Sequence, residues 1–356
     1  MVMDDHYKTL SETTRQSYEK RFEGLAKRFF KSSGLSMSEH TYEFLQWIDD
    51  LKFKLSNSTR RQYRCAIKYS LREYRINFES AIPDFLVSNV TRSTVRKFHG
   101  KRTSALKSKF IRSEVLEQLL DYLDSSNSIS AWLIKDMLIA SSHFGLRPIE
   151  WMDASWTLDS NKKLGLLVKN AKNSHGRSHG ENRIIWLDTD LLSPELRPVL
   201  AQAIKSADSL IKYFQKQNNQ TEKDFIPDIN LSTSTNEASL YFLKRQVAEA
   251  IIIKARQYLN QLYRKNTQFK KLAKRNRITL YSARHQFAAN AKKAGLKPEE
   301  VAALMGHASM ETNQASYGRR VNGTPGGFGV VADAHDVERV LELLSLKEES
   351  ALGFNR

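Results

Sequence analysis

Apolar residues recur at helical spacing through most of the chain. Tyr18, Phe22, Leu25 and Phe29 follow the hydroxyl-rich stretch 11–14, and Tyr63, Ile67 and Leu71 follow 56–59. Each run predicts a helix opened by a Ser/Thr cap. Phe44, Leu45, Ile48 and Leu51 predict a third helix over 42–55. The period resumes from about Ser108 with Val115, Leu116, Leu119, Leu120 and Leu123, then again over 132–141, where Gly145 follows as a C-terminal stop. The clear strand signal is 164–168 and 183–187 around a polar connection, 169–182. It predicts a hairpin or three-stranded ribbon with a long basic tip. Further helices are expected at 194–216, 247–265, 282–294, 298–305 and 336–346.

The stretch 90–103 interrupts this pattern, being basic, rich in hydroxyls and poor in large apolar residues. It reads as a linker, and a chain of 356 residues is long enough for a core on either side of it. The organisation expected is a helical domain over 1–88, a basic linker over 89–107, a second domain over 108–330, and a tail over 331–356. The fold class is mainly α with a small sheet.

Charge then narrows the partner. Lys and Arg number 56 against 39 Asp and Glu, a net +17, the footprint of a polyanion binder. Arg60, Arg61, Arg96, Lys97, Lys101, Arg102, Arg177, Lys274, Arg275 and Arg277 lie in basic runs suited to a phosphate backbone. Cys65 is the only cysteine, which leaves neither a disulfide framework nor a cysteine-built metal site. His175 and His179 stand without a further Cys, His or acidic cluster, so backbone contact is preferred there to a metal. No run approaches the roughly 18 apolar residues of a membrane helix, and the polar start is unlike a secretory leader. An intracellular location is expected.

Two short segments carry candidate chemistry. The first is Gly145-Leu146-Arg147-Pro148-Ile149-Glu150. If a helix begins at Pro148, Glu150 lies one turn beyond Arg147 and can orient its guanidinium. The second runs Tyr281-Ser282-Ala283-Arg284-His285, then Gly306-His307 after a short helix, then Tyr317-Gly318-Arg319-Arg320. Two arginines that fork onto non-bridging oxygens, a histidine and a tyrosine suffice to clamp a phosphodiester and attack it. A histidine just past a glycine stop is expected to stand exposed in such a site, and Gly318 with its arginines is expected to loosen the tyrosine and lower its pKa.

The order Arg147, Arg284, His307, Tyr317 resembles the catalytic signature of the tyrosine recombinase (phage integrase) family. The resemblance implies a helical SAM-like core-binding domain and a mixed α/β catalytic domain. It implies a site-specific DNA recombinase, an integrase of a mobile element, that uses no cofactor and no metal. Tyr317 would be the nucleophile, leaving a 3′-phosphotyrosyl bond that a partner strand resolves through a Holliday junction. Arg147, Arg284 and His307 would clamp the phosphate, with Glu150 and His285 in support. The family's hairpin lysine, which protonates the leaving oxygen, falls on Lys172, with Lys169 as the alternative. Tyr281 stands where the family usually has a histidine that takes the nucleophile's proton, and a phenol of reference pKa about 10 is a poor base near neutrality. The His-to-Tyr interval is also one residue longer than the commonest pattern. Double-stranded attachment sites, a tetramer on synapsed DNA and an accessory bending or directionality factor are the implied partners, in a bacterial cytoplasm. The amphipathic tail either packs on its own domain or links neighbouring subunits. Two other readings share these residues: a recombinase-like DNA-binding protein without strand exchange, and another covalent DNA enzyme such as a type IB topoisomerase or telomere resolvase.

Overall fold

In this computed structural model, residues 10, 12–51, 55, 57–73, 110–171, 180–188, 190, 192–227, 230–273, 277–307, 320–324 and 328–353 are described. The chain divides into two compact units, Met1–Arg102 and Thr103–Arg356.

The first unit contains α1 (Glu12–Ser33), α2 (Thr41–Asp50) and α3 (Asn57–Glu73). Phe22, Leu25 and Phe29 form one stripe of α1 and close on Phe44, Leu45 and Ile48 of α2 and Ile67 and Leu71 of α3. Phe44 meets Phe22 and Phe29 edge-on, at centroid distances of 5.9 and 5.5 Å. These are the positions the apolar spacing selects.

The second unit is built around α5 (Ile129–Phe144), which is buried on nearly every side. Packed against it are α4 (Ser113–Asp124), α6 (Arg197–Asp224), α7 (Thr233–Lys265) and α9 (Leu280–Lys293). The short helices α8 (Thr267–Ala273) and α10 (Pro298–Leu304) and the C-terminal α11 (Ala334–Gly353) complete the helical part. The sheet has order β1-β2-β3-β4 and is antiparallel throughout, with β1 Ser155–Leu158, β2 Leu164–Lys169, β3 Asn182–Leu187 and β4 Val330–Ala332. The architecture is therefore mainly α with a small antiparallel sheet.

The sheet is wider than the hairpin or ribbon expected from sequence. β1 and β4 have four and three residues, too short to show a period; they exist because β2 and β3 each offer them a free edge. The helices are also longer. α7 starts at Thr233, where Ser232 Oγ accepts from Thr235 N at 3.2 Å, well before the expected Val247. Its first turns are largely exposed, so they carry no apolar stripe to betray them.

The tail docks on its own chain. β4 pairs with β3, Asp336 accepts from Ile184 N at 2.9 Å, and Val340 is buried against Ala302 and Ala303 of α10. Among the described residues no helix is long and apolar enough to cross a membrane, and no group of three His, Cys, Asp or Glu side chains is placed to hold a metal.

Candidate active site

The segment after α5 is fixed residue by residue. Gly145 ends the helix in the left-handed region (φ 68°), and a side chain there would strike the Phe287 ring of α9. Leu146 is buried, which leaves Arg147 at the mouth of a six-residue 3₁₀ helix, Pro148–Asp153. Pro148 takes its first position, and Glu150 reaches back to accept from Arg147 N at 2.8 Å. The same carboxylate pairs with the Arg147 guanidinium at 2.5 Å. The weak Gly-Leu-Arg-Pro-x-Glu pattern is thus a complete local structure.

The second segment meets it from the other side. Thr279 and Ser282 cap α9, with Thr279 N donating to Ser282 Oγ at 3.0 Å, and Arg284 lies one turn in, fully buried. Its Nη1 donates to the carbonyl of Gly145 and lies 3.5 Å from Glu150, while its Nη2 donates to the carbonyl of Met305. α10 ends in a Schellman arrangement. Gly306 (φ 57°) donates to Ala303 O at 2.9 Å, and His307 N to Ala302 O at 2.9 Å. That places the imidazole beside Arg284, with Nε2 3.1 Å from Nη2. An arginine only donates, so Nε2 accepts.

His307 is buried, 5% exposed, which corrects the expectation of an exposed histidine: the glycine stop turns it inward onto the arginines rather than out to solvent. Burial, with Arg284, Arg147 and Arg183 beside it, pushes its pKa down to about 2. It is a neutral ring at physiological pH.

A third arginine, which no short sequence pattern marks, completes the cluster. Arg183 opens β3 on the core face, opposite Val168, and its side chain is fully buried. Its Nε donates to Leu304 O at 2.9 Å, Nη1 to Asn170 Oδ1, and Nη2 to Glu150 at 2.9 Å. A signal was there: strand alternation puts 183 in phase with buried Ile185, and an arginine in that phase needs a carboxylate. Burial alone would push the Glu150 carboxyl up, but Arg183, Arg284 and Arg147 together hold it well below the usual range. Arg183 and Arg284 also occupy carbonyls that the last turn of α10 leaves open. The centre is one carboxylate shared by three guanidiniums, with two positive charges in excess.

Other expected residues are placed differently. Lys169 is held 3.3 Å from Glu181 and lies over the Tyr241 ring at 4.3 Å, engaged with α7. Tyr281 and His285, one turn apart on α9, are half-buried and meet edge to face at 5.5 Å. Arg277 bonds Asn260 and stacks on Tyr263 at 5.6 Å. Arg60 and Arg61 lie on α3, where Arg64, Lys68 and Arg72 continue the 60 register every fourth residue. Helical rise spaces them by about 6 Å. Lys172, Tyr317, Arg96, Lys97, Lys101, Arg102, Arg177, Lys274 and Arg275, with His175, His179, Gly318 and Arg319, lie outside the described residues.

No protein-family model matches this chain, and no curated protein matches it. Among solved structures it is similar to the XerH site-specific recombinase bound to a palindromic difH substrate, a post-cleavage complex. The likeness is at 17% identity over 85% of this chain and 74% of that chain, with a TM-score of 0.39.

Proposed function

We propose that this chain is a site-specific DNA recombinase of the tyrosine recombinase type, an integrase of a mobile element. The observation that carries the reading is the convergence of Arg147, Arg284 and His307, from segments up to 160 residues apart in sequence, on one buried point of positive charge. Buried guanidiniums that share a carboxylate are preorganised for a second oxyanion.

On this reading Arg147 and Arg284 bind the non-bridging oxygens of the scissile phosphate. The Tyr317 oxygen attacks phosphorus as its proton passes to water, the 3′-phosphotyrosyl bond forms, and the 5′ oxygen leaves with a proton from Lys172. Lys169 is the weaker choice for that proton because Glu181 and Tyr241 already hold it. A 5′ hydroxyl of the partner duplex then attacks the phosphotyrosine and regenerates the phenol, through a Holliday junction in a synaptic tetramer. The ester bond is exchanged and never hydrolysed, so the chemistry calls for no nucleotide cofactor. Tyr281 donates a hydrogen bond to the phosphate rather than taking the nucleophile's proton. The basic face of α3 runs along the duplex backbone, as do the basic stretches of sequence 89–107 and 274–277, and a bending factor assists synapsis. α11, docked in cis here, is the element that subunits exchange.

The test is covalent capture. Nicked suicide duplexes drawn from the DNA flanking the gene are incubated with protein and resolved under denaturing conditions. A protein–DNA adduct that disappears in Tyr317→Phe, with duplex affinity within about twofold of wild type, is the expected result. An adduct that persists in Tyr317→Phe would overturn the nucleophile assignment. Tight, salt-dependent binding without any adduct would favour the binding-only reading.

A further inference from the structure

We propose that Asn170 and Arg183 are positioning residues: a buried latch that fixes the neck of the β2–β3 hairpin to the segment bearing His307. Its catalytic consequence rests on the recombinase reading; its geometry does not. Every nitrogen of the Arg183 guanidinium is committed, to Leu304 O, to Asn170 Oδ1 and to Glu150. The side chain has no exposed surface. Asn170 closes the neck from the other strand. Its Nδ2 donates to Gly180 O at 2.9 Å and its backbone N to Glu181 O at 2.7 Å. Next along the chain, Ala171 N donates to Glu150 at 3.3 Å.

Gly306 belongs to the same junction. A side chain there would meet Asn170 Oδ1 and Arg183 Nη1, so the residue before His307 is in contact with the neck of the hairpin. One guanidinium therefore joins three stretches of chain distant in sequence: the hairpin, the 3₁₀ helix of Glu150 and the end of α10. A role in packing alone would not call for this residue. Opposite Val168 an apolar side chain of equal volume fills the space without burying a charge. What the arginine adds is registration of the neck of the hairpin relative to the phosphate clamp; the proposed proton donor Lys172 follows Asn170 by two residues in sequence.

Asn170→Ala tests this, with Arg183→Met as the second variant because an apolar replacement keeps the site filled. Without any substrate, amide hydrogen exchange at Asn170 and Ala171 is expected to quicken about tenfold, while α5 amides keep wild-type rates. With nicked suicide duplexes, adduct formation is expected to slow by about 100-fold on the ordinary 5′-oxygen leaving group. On a 5′-bridging sulfur, which leaves without a proton, the deficit is expected to shrink to about threefold. Equal deficits on oxygen and sulfur, or unchanged exchange at the neck, would overturn the latch. Wild type inert on both substrates would sink the recombinase reading instead, and the exchange measurement would still decide the latch.

Discussion

Replacing Glu150 with glutamine removes one negative charge from the point that three guanidiniums share, with almost no change in shape. The carboxylate accepts from Arg147 N at 2.8 Å, Arg147 Nη1 at 2.5 Å, Arg183 Nη2 at 2.9 Å and Ala171 N at 3.3 Å, with Arg284 Nη1 at 3.5 Å. A glutamine keeps one of the two oxygens and turns an amide NH₂ toward an arginine. Breaking a buried ion pair by deleting one partner costs about 3–5 kcal/mol, and here the partner serves three. For a unit of this size the melting temperature should fall on the order of 10 °C, read by far-ultraviolet circular dichroism. The pH dependence has a definite sign. The folded carboxyl titrates below its unfolded value, so its stabilisation is whole above about pH 4.3 and is lost as pH falls toward the folded value. The gap between wild type and Glu150→Gln should be constant from pH 5 to 8. Below about pH 4 it should narrow by about 1.4 kcal/mol per pH unit. A gap under 2 °C at neutral pH, or one that does not narrow in acid, would refute the account of Glu150 as the shared counter-charge.

Two other substitutions probe the same centre. His307 should show no titration by NMR between pH 8 and 5, because its folded pKa is pushed down to about 2. Since the unfolded ring takes a proton first, stability is full above about pH 6.5 and falls by about 1.4 kcal/mol per unit below it, a slope that urea melts of His307→Asn should lack. Gly306→Ala combines a left-handed φ of 57° with a clash on Asn170 and Arg183. It should destabilise by about 1–3 kcal/mol in a thermal melt, whereas alanine at Gly24, with open space around it, should not.

Much of this fold was legible because its helices bury a stripe. The core positions of α1, α2 and α3 and the Gly145 stop followed from spacing alone. What escaped had a physical reason. β1 and β4 exist only as partners of strands far away in sequence, and the first turns of α7 bury nothing. In the site, Arg147, Glu150, Arg284 and His307 were found from short patterns, and the structure brings them together. Arg183 was passed over because a β-strand arginine beside a basic loop reads as solvent-facing until its phase is compared with Ile185. The same blind spot produced the wrong exposure for His307. Local sequence gave the turn at Gly306, while the inward direction is set by Asn170, Arg183 and Arg284, contributed from elsewhere.

The charge of this centre bears on mechanism as well as on folding. Three guanidiniums with no counter-ion would repel one another in a dry interior, and Glu150 relieves that. It does so without neutralising the site. Three arginines against one carboxylate, with His307 held neutral, leave two positive charges in excess. A phosphodiester would, on the proposed reading, bring one negative charge to the clamp, and the pentavalent species formed on attack by Tyr317 would carry two. On the proposed reading the resident charge therefore matches the transition state and exceeds the ground state, the inequality that accelerates a reaction rather than only tightening binding. A protonated His307 or a missing Glu150 would raise the excess to three and overshoot both states. The same three arginines lower the pKa of both His307 and Glu150, with burial adding to the shift of the imidazole and opposing that of the carboxyl, and both shifts keep this count.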